Sequence, residues 1–131
     1  MSLFKKVDCV SLPVTSIDAG IEFYEKLGSS CVWREKNVAA GLRMADSDTE
    51  IVIHTRQLPA ETYLLVESVP DAIRGIQNAG GTVEFGPIEI EAGLYARSRD
   101  PWGNALVIMD LSKGTLKTDA VGNVIGNNPA P

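Results

Sequence analysis

Histidine is nearly missing from this chain. The 131 residues include one, His54. Oxygenase iron sites use two histidines and a carboxylate together, so the ordinary form of that chemistry is excluded. Cysteine is scarce as well. Cys9 and Cys31 stand far apart and lack zinc-ligand spacing. The opening "MSLFKKVDCV" has no signal-peptide core. Two reduced thiols in a cytoplasmic protein are therefore expected. No apolar run approaches the roughly 18 residues of a membrane span, so no membrane partner is expected. There is no glycine-rich phosphate loop, no P-loop lysine, no nucleophile elbow and no Ser/His/Asp set. Basic residues are outnumbered, with 12 Lys+Arg against 17 Asp+Glu and a net charge of −5. That balance argues against binding a nucleic-acid backbone, but leaves room for a small basic pocket.

What is present is ordinary in amount and unusual in order. Hydrophobic residues make up 44% and charged residues 22%, typical of a globular protein. The length suits one domain that buries roughly two thirds of its unfolded surface. Two halves match at an offset of about 52 positions. Leu12, Val14, Ser16, Ile17, Ile21 and Gly28 fall opposite Leu64, Val66, Ser68, Val69, Ile73 and Gly80. Further on, Trp33 falls opposite Phe85, Gly41 opposite Gly93, Leu42 opposite Leu94 and Asp48 opposite Asp100.

Each half reads as strand, helix, then three strands. "CVSLPV" alternates apolar Val10, Leu12 and Val14 with smaller residues, a half-buried strand. Ser16 is a helix cap, Ile17, Ile21, Tyr24 and Leu27 keep helical spacing, and Gly28 is a stop. Strands are expected at "CVWRE", "AAGLRM" and "EIVIHT". The second half gives strand "TYLLVE", a helix from about Pro70 to Ala79, then "TVEFG", "LYARSR" and "ALVIMD". The expected organisation is a single domain, 1–113, made of two modules at about 5–56 and 60–112. The Gly/Asn/Pro-rich stretch 114–131 reads as a tail with little core.

The stretches "VSLPVTSIDAGIEFYEKLG" and "RDPWGNALVIMD", in this order on a doubled strand-helix pattern, carry a family resemblance. The chain resembles the vicinal oxygen chelate superfamily over about residues 7 to 111. That superfamily includes glyoxalase I, bleomycin- and fosfomycin-resistance proteins and extradiol dioxygenases. The resemblance implies an α+β fold of paired βαβββ modules, each sheet curved around a cleft, commonly completed in a homodimer. It also implies one divalent metal at the cleft floor, held by His or Glu from the first and last strand of each module.

Carried over by position, the metal ligands fall on Cys9, Glu61 and Val107, with either Glu50 or Val52 completing the set. Valine cannot ligate. What remains is Cys9, Glu50 and Glu61, with His54 further along the strand from Glu50. An unusual Cys/Glu/Glu site is one reading. A pocket without a metal and without any other cofactor is the plainer one, with Cys9 packing as a small hydrophobe.

Other cleft candidates follow from strand alternation. "LYARSRD" puts Tyr95, Arg97 and Arg99 on one face and Leu94, Ala96 and Ser98 on the other. Guanidiniums in a cleft can hold a carboxylate or phosphate. The plain alternative is a solvated strand end, with Arg99 pairing a nearby carboxylate. Tyr63 shares a face with Glu61, Ser11 shares one with Cys9, and Ala105, Val107 and Met109 form an apolar face. Trp33 suits a cleft wall and the core equally. His54 titrates near neutrality and can carry a proton, although a lone histidine at a strand end is more commonly exposed. Trp102 reads as a lid, a dimer contact or an exposed turn residue.

The expected function is binding of a small aromatic or anionic molecule in a cleft, without the usual metal. One rival is a glyoxalase-like lyase or isomerase, with Glu61 or Glu50 as catalytic base and an atypical metal or Arg97 stabilising an enolate. The other is a protein-interaction module with a vestigial cleft.

Overall fold

The computed structural model describes residues 2–129. It is an α+β protein. The first module runs β1 (Phe4–Pro13), α1 (Ile17–Lys26), β2 (Ser30–Glu35), β3 (Ala39–Met44) and β4 (Ser47–His54). The second runs β5 (Glu61–Val66), α2 (Val69–Asn78), β6 (Thr82–Glu89), β7 (Leu94–Arg99) and β8 (Ala105–Met109). A hairpin of β9 (Thr115–Thr118) and β10 (Val124–Asn128) follows. The chain divides into two compact units, one of residues 8–62 with 117–126, the other chiefly 63–116.

Both helices start on the serine that the repeat singled out. The Ser16 hydroxyl accepts the Ala19 N–H at 3.2 Å, and the Ser68 hydroxyl accepts the Asp71 N–H at 3.3 Å. Each satisfies a donor that the first helical turn leaves open. In the first module the strands lie in the order β2-β3-β4-β1. Ile17, Ile21 and Tyr24 of α1 pack on Ala40, Leu42, Ile51 and Ile53. In the second module the order is β5-β8-β7-β6. Val69, Ala72, Ile73 and Ile76 of α2 pack on Leu64, Val66, Leu94, Ala96 and Ile108. In both modules one sheet face is thus spent on the helix. The alternate residues share the helix-free face.

The ladders settle the register that sequence left open. Ser11 pairs with Val52, and Tyr63 pairs with Val107. Val52 and Val107 therefore hold the same place in their modules, and Glu50 lies opposite Cys9. The ladders also correct the later part of the repeat. Val52 is flanked by Gly41, whereas Val107 is flanked by Arg97. Gly41 thus corresponds to Arg97, not to Gly93. The offset drifts because β6 runs on to Glu89, past its expected end at Gly86, with two register shifts on the way.

The C-terminal stretch also differs from expectation. Residues 115–128 form a hairpin. Its turn is built on Asp119, whose carboxylate accepts the N–H groups of Val121 (3.0 Å) and Asn123 (2.9 Å). Asp100 does the same for Trp102 (3.0 Å) and Asn104 (2.8 Å) in "DPWGN". The tail sequence "DAVGN" repeats that turn chemistry. At the hairpin tip the Gly122 carbonyl accepts the Arg34 N–H at 2.8 Å.

Asp110, at the end of β8, is buried and ties the second module together. Its Oδ2 accepts the Val69 N–H at the start of α2 (2.9 Å). Its Oδ1 accepts the Leu94 N–H (2.9 Å), the Ser112 N–H (3.2 Å) and the Ser112 hydroxyl (2.7 Å). Gly93 has to be glycine here, because a Cβ would overlap that same Oδ1. Burial alone would raise the Asp110 carboxyl, but these hydrogen bonds hold it below its ordinary 3.8. Asp110→Asn is expected to cost about 2 kcal/mol of stability in urea unfolding at pH 7. Because the folded value is depressed, the contribution is complete above pH 3.8 and is lost as pH falls through the folded value. The difference between the two proteins should therefore close in acid.

Candidate functional site

On the first module's helix-free face lie Cys9, Ser11, Trp33, Glu50, Val52 and His54, with Gly41 among them. Trp33 pairs with Gly41, where a Cβ would collide with the indole. The ring therefore lies flat on the glycine backbone. Its Nε1–H donates to Glu50 Oε1 at 2.8 Å. Trp33 is thus neither helix-side core nor a free wall, but a ring laid across its own sheet.

Cys9 is buried beside this pair. Burial, then the carboxylates of Asp8 and Glu50, push its thiol far above the ordinary range. It packs as a small apolar group. His54, expected at an exposed strand end, is only 1% exposed. The reason is its place in the ladder, where Ala39 flanks it on one side and Pro13 on the other. Neither ring nitrogen meets a partner in hydrogen-bond geometry. Burial and the charge on Arg56 hold its pKa below 6.5, while the Arg56 backbone and the Glu61 carboxylate act upward.

The positions onto which the resemblance carries a metal set are Cys9, Glu50 or Val52, Glu61 and Val107. Glu50 is engaged by the indole, and Val52 and Val107 have no donor. Among the described residues, no group of three or more His, Cys, Asp or Glu is placed to hold an ion.

The second module's helix-free face has a different character. Tyr63, Val107, Arg97 and Phe85 follow one another across the strands, with Met109 and Tyr95 beside them. The rings of Tyr63 and Tyr95 lie near-parallel, 17° apart with centroids at 6.4 Å. Phe85 meets Tyr95 edge-on at 5.9 Å. Arg97, whose side chain is 13% exposed, has its Nε 2.9 Å from Glu84 Oε2. Arg99 grips Glu84 Oε1 with Nε (3.0 Å) and Nη2 (2.8 Å), and donates from Nη1 to the Gly103 carbonyl (2.8 Å). Two guanidiniums thus share one carboxylate beside three aromatic rings. Val107 and Met109 are buried beneath, whereas Ala105 at the strand's start is exposed. Trp102, at 83% exposure, projects from the Asp100 turn.

Strand alternation was a good guide to these faces. It placed Tyr95, Arg97 and Arg99 opposite Leu94 and Ala96, as found. Arg99 pairs with a nearby carboxylate, as the plain alternative of a solvated strand end had it. Glu84 escaped notice because strict alternation sets it on the opposite face from Phe85. The register shift between Val83 and Phe85 breaks that alternation. Asp110 read as the end of a strand, and only its burial reveals its role.

No protein-family model matches this chain, and no curated protein matches it in sequence. Solved structures match it in fold. Methylmalonyl-CoA epimerase from Mycobacterium tuberculosis superposes with a TM-score of 0.69 at 18% identity, covering 84% of this chain and 90% of its own. The Streptomyces coelicolor epimerase in complex with 2-nitronate-propionyl-CoA gives 0.66 at 17% identity, covering 82% and 94%. Catechol 2,3-dioxygenase gives 0.59 at 21% identity, covering 84% of this chain but 40% of the dioxygenase. The likeness is one of fold.

Two measurements check this geometry. The single imidazole should titrate below pH 6.5 by NMR. Since the unfolded state takes up that proton first, stability should fall as pH drops from 6.5 toward the folded value, and His54→Phe should remove that slope. In a Trp102→Phe background, Gly41→Ala should lift the Trp33 indole and red-shift its emission. An unchanged spectrum would contradict the stacked geometry.

Proposed function

We propose that this chain binds a small anionic molecule with a planar or apolar portion, and that it does so without a metal. The observation that carries the proposal is Arg97. A nearly buried guanidinium beside Tyr63, Tyr95 and Phe85 is costly to maintain for structure alone. It suits a ligand whose carboxylate or phosphate meets the arginines while its body lies on the rings. Val107 and Met109 supply an apolar floor. The fold likeness agrees with this class, since one methylmalonyl-CoA epimerase of this fold is in complex with methylmalonyl-CoA, itself a carboxylate. The unsuited donor set on the first module supports a metal-free mode.

Calorimetry with benzoate and with methylmalonyl-CoA tests the reading. At least one should bind, and Arg97→Gln should weaken it about tenfold or more, the loss of one charge-assisted contact. Metal analysis of the purified protein should find far less than one divalent ion per chain. A stoichiometric ion that disappears in Glu61→Ala would instead favour the lyase or isomerase reading.

A further inference from the structure

We infer that Tyr95 sets which planar acid the second module prefers: its hydroxyl donates to an oxygen carried on the ligand's ring, so that aromatic acids with a phenolic or carbonyl oxygen are favoured over the bare acid. The inference rests on the binding role proposed for the second module and goes on to name the ligand class within it.

Three observations lead to it. First, the ring of Tyr95 is held from two sides. It lies near-parallel to Tyr63 at 6.4 Å and meets Phe85 edge-on at 5.9 Å. These contacts need the ring alone, and Phe85 makes its share without an oxygen. Second, the backbone beneath the ring is fixed. Tyr95 stands between Ile88 and Met109 in the ladders. The residue before it, Leu94, donates to Asp110 Oδ1 (2.9 Å) and accepts the Asp110 N–H (3.0 Å). Third, the hydroxyl takes no part in holding the fold. It has no hydrogen-bond partner among the described residues, and its oxygen is open to solvent. A donor carried on a rigid ring and not spent on the protein is preorganised for a ligand.

Tyr95 precedes Arg97 by two positions on one face of β7, about 7 Å along the strand. The hydroxyl therefore serves a different part of the ligand from the acid group assigned to the arginines. That part is the planar body, and a phenolic O–H recognises an oxygen substituent there. A ligand that bears one gains a hydrogen bond to a fixed donor. A bare ring covers the same donor and leaves it unpaired. Tyr24 provides a contrast within the chain. Its hydroxyl is likewise without a protein partner, but it belongs to α1, on the helix side of the first module.

Calorimetry on the full chain with benzoate and with its ortho, meta and para hydroxy derivatives tests this. At least one hydroxybenzoate should bind the parent about three- to tenfold tighter than benzoate, the worth of one hydrogen bond to a fixed donor. Tyr95→Phe should abolish that preference, and Tyr24→Phe should leave it as in the parent. Loss of packing would weaken all the acids together, so the ratio of affinities reads the hydroxyl alone. If Tyr95→Phe instead melts several degrees below the parent, the hydroxyl is structural and the inference fails. If benzoate or methylmalonyl-CoA binds but no hydroxybenzoate gains over benzoate, or the gain survives in Tyr95→Phe, this inference fails while the binding role stands. If none of these ligands binds, both fail together.

Discussion

The second module is organised by the Asp110 carboxylate. It receives hydrogen bonds from the first residue of α2, from the first residue of β7 and from the turn after β8. These elements are distant in sequence, and a buried charge forces them into one geometry, because each donor it lost would leave it uncompensated. The consequence reaches the ligand face. Fixing Leu94 at the start of β7 fixes the phase of that strand. With the phase set, Leu94 and Ala96 go to the helix, and Tyr95, Arg97 and Arg99 go to the other side. A charge on the helix side thus dictates which charges the opposite side can offer.

The two modules share a plan and differ at one decisive position. Gly41 and Arg97 hold equivalent places beside Val52 and Val107. On the first module the absent side chain lets Trp33 cover its own sheet and engage Glu50. On the second, an arginine stands there and the aromatic neighbour, Phe85, turns to Tyr95 instead. One face is thereby closed by a neutral ring, and the other carries charge framed by rings. The contrast at that position is between the smallest side chain and one of the longest.

Much of this was legible in the sequence, and the limits have physical causes. Helix starts were readable because a serine cap is a local device. The helix-free faces were readable because alternation in a strand is strict until something interrupts it. β7 is uninterrupted, so Tyr95, Arg97 and Arg99 were placed correctly. β6 is interrupted, so Glu84 was not. His54 looked exposed because its neighbours in the ladder, Ala39 and Pro13, lie far from it along the chain. The C-terminal hairpin was hidden because "DAVGN" has the composition of a loop. Its resemblance to "DPWGN" was available from the residues, and it marks a turn that returns the chain on itself.

That hairpin has a consequence for how the molecule behaves among its own kind. β2 is the outer strand of its module's sheet, and its free backbone would be an inviting template for a stray strand. The tip of the hairpin lies against it, and Gly122 takes up the Arg34 amide. The guard on this border is thus a stretch of chain made well after it, and until it arrives the nascent protein carries an open seam.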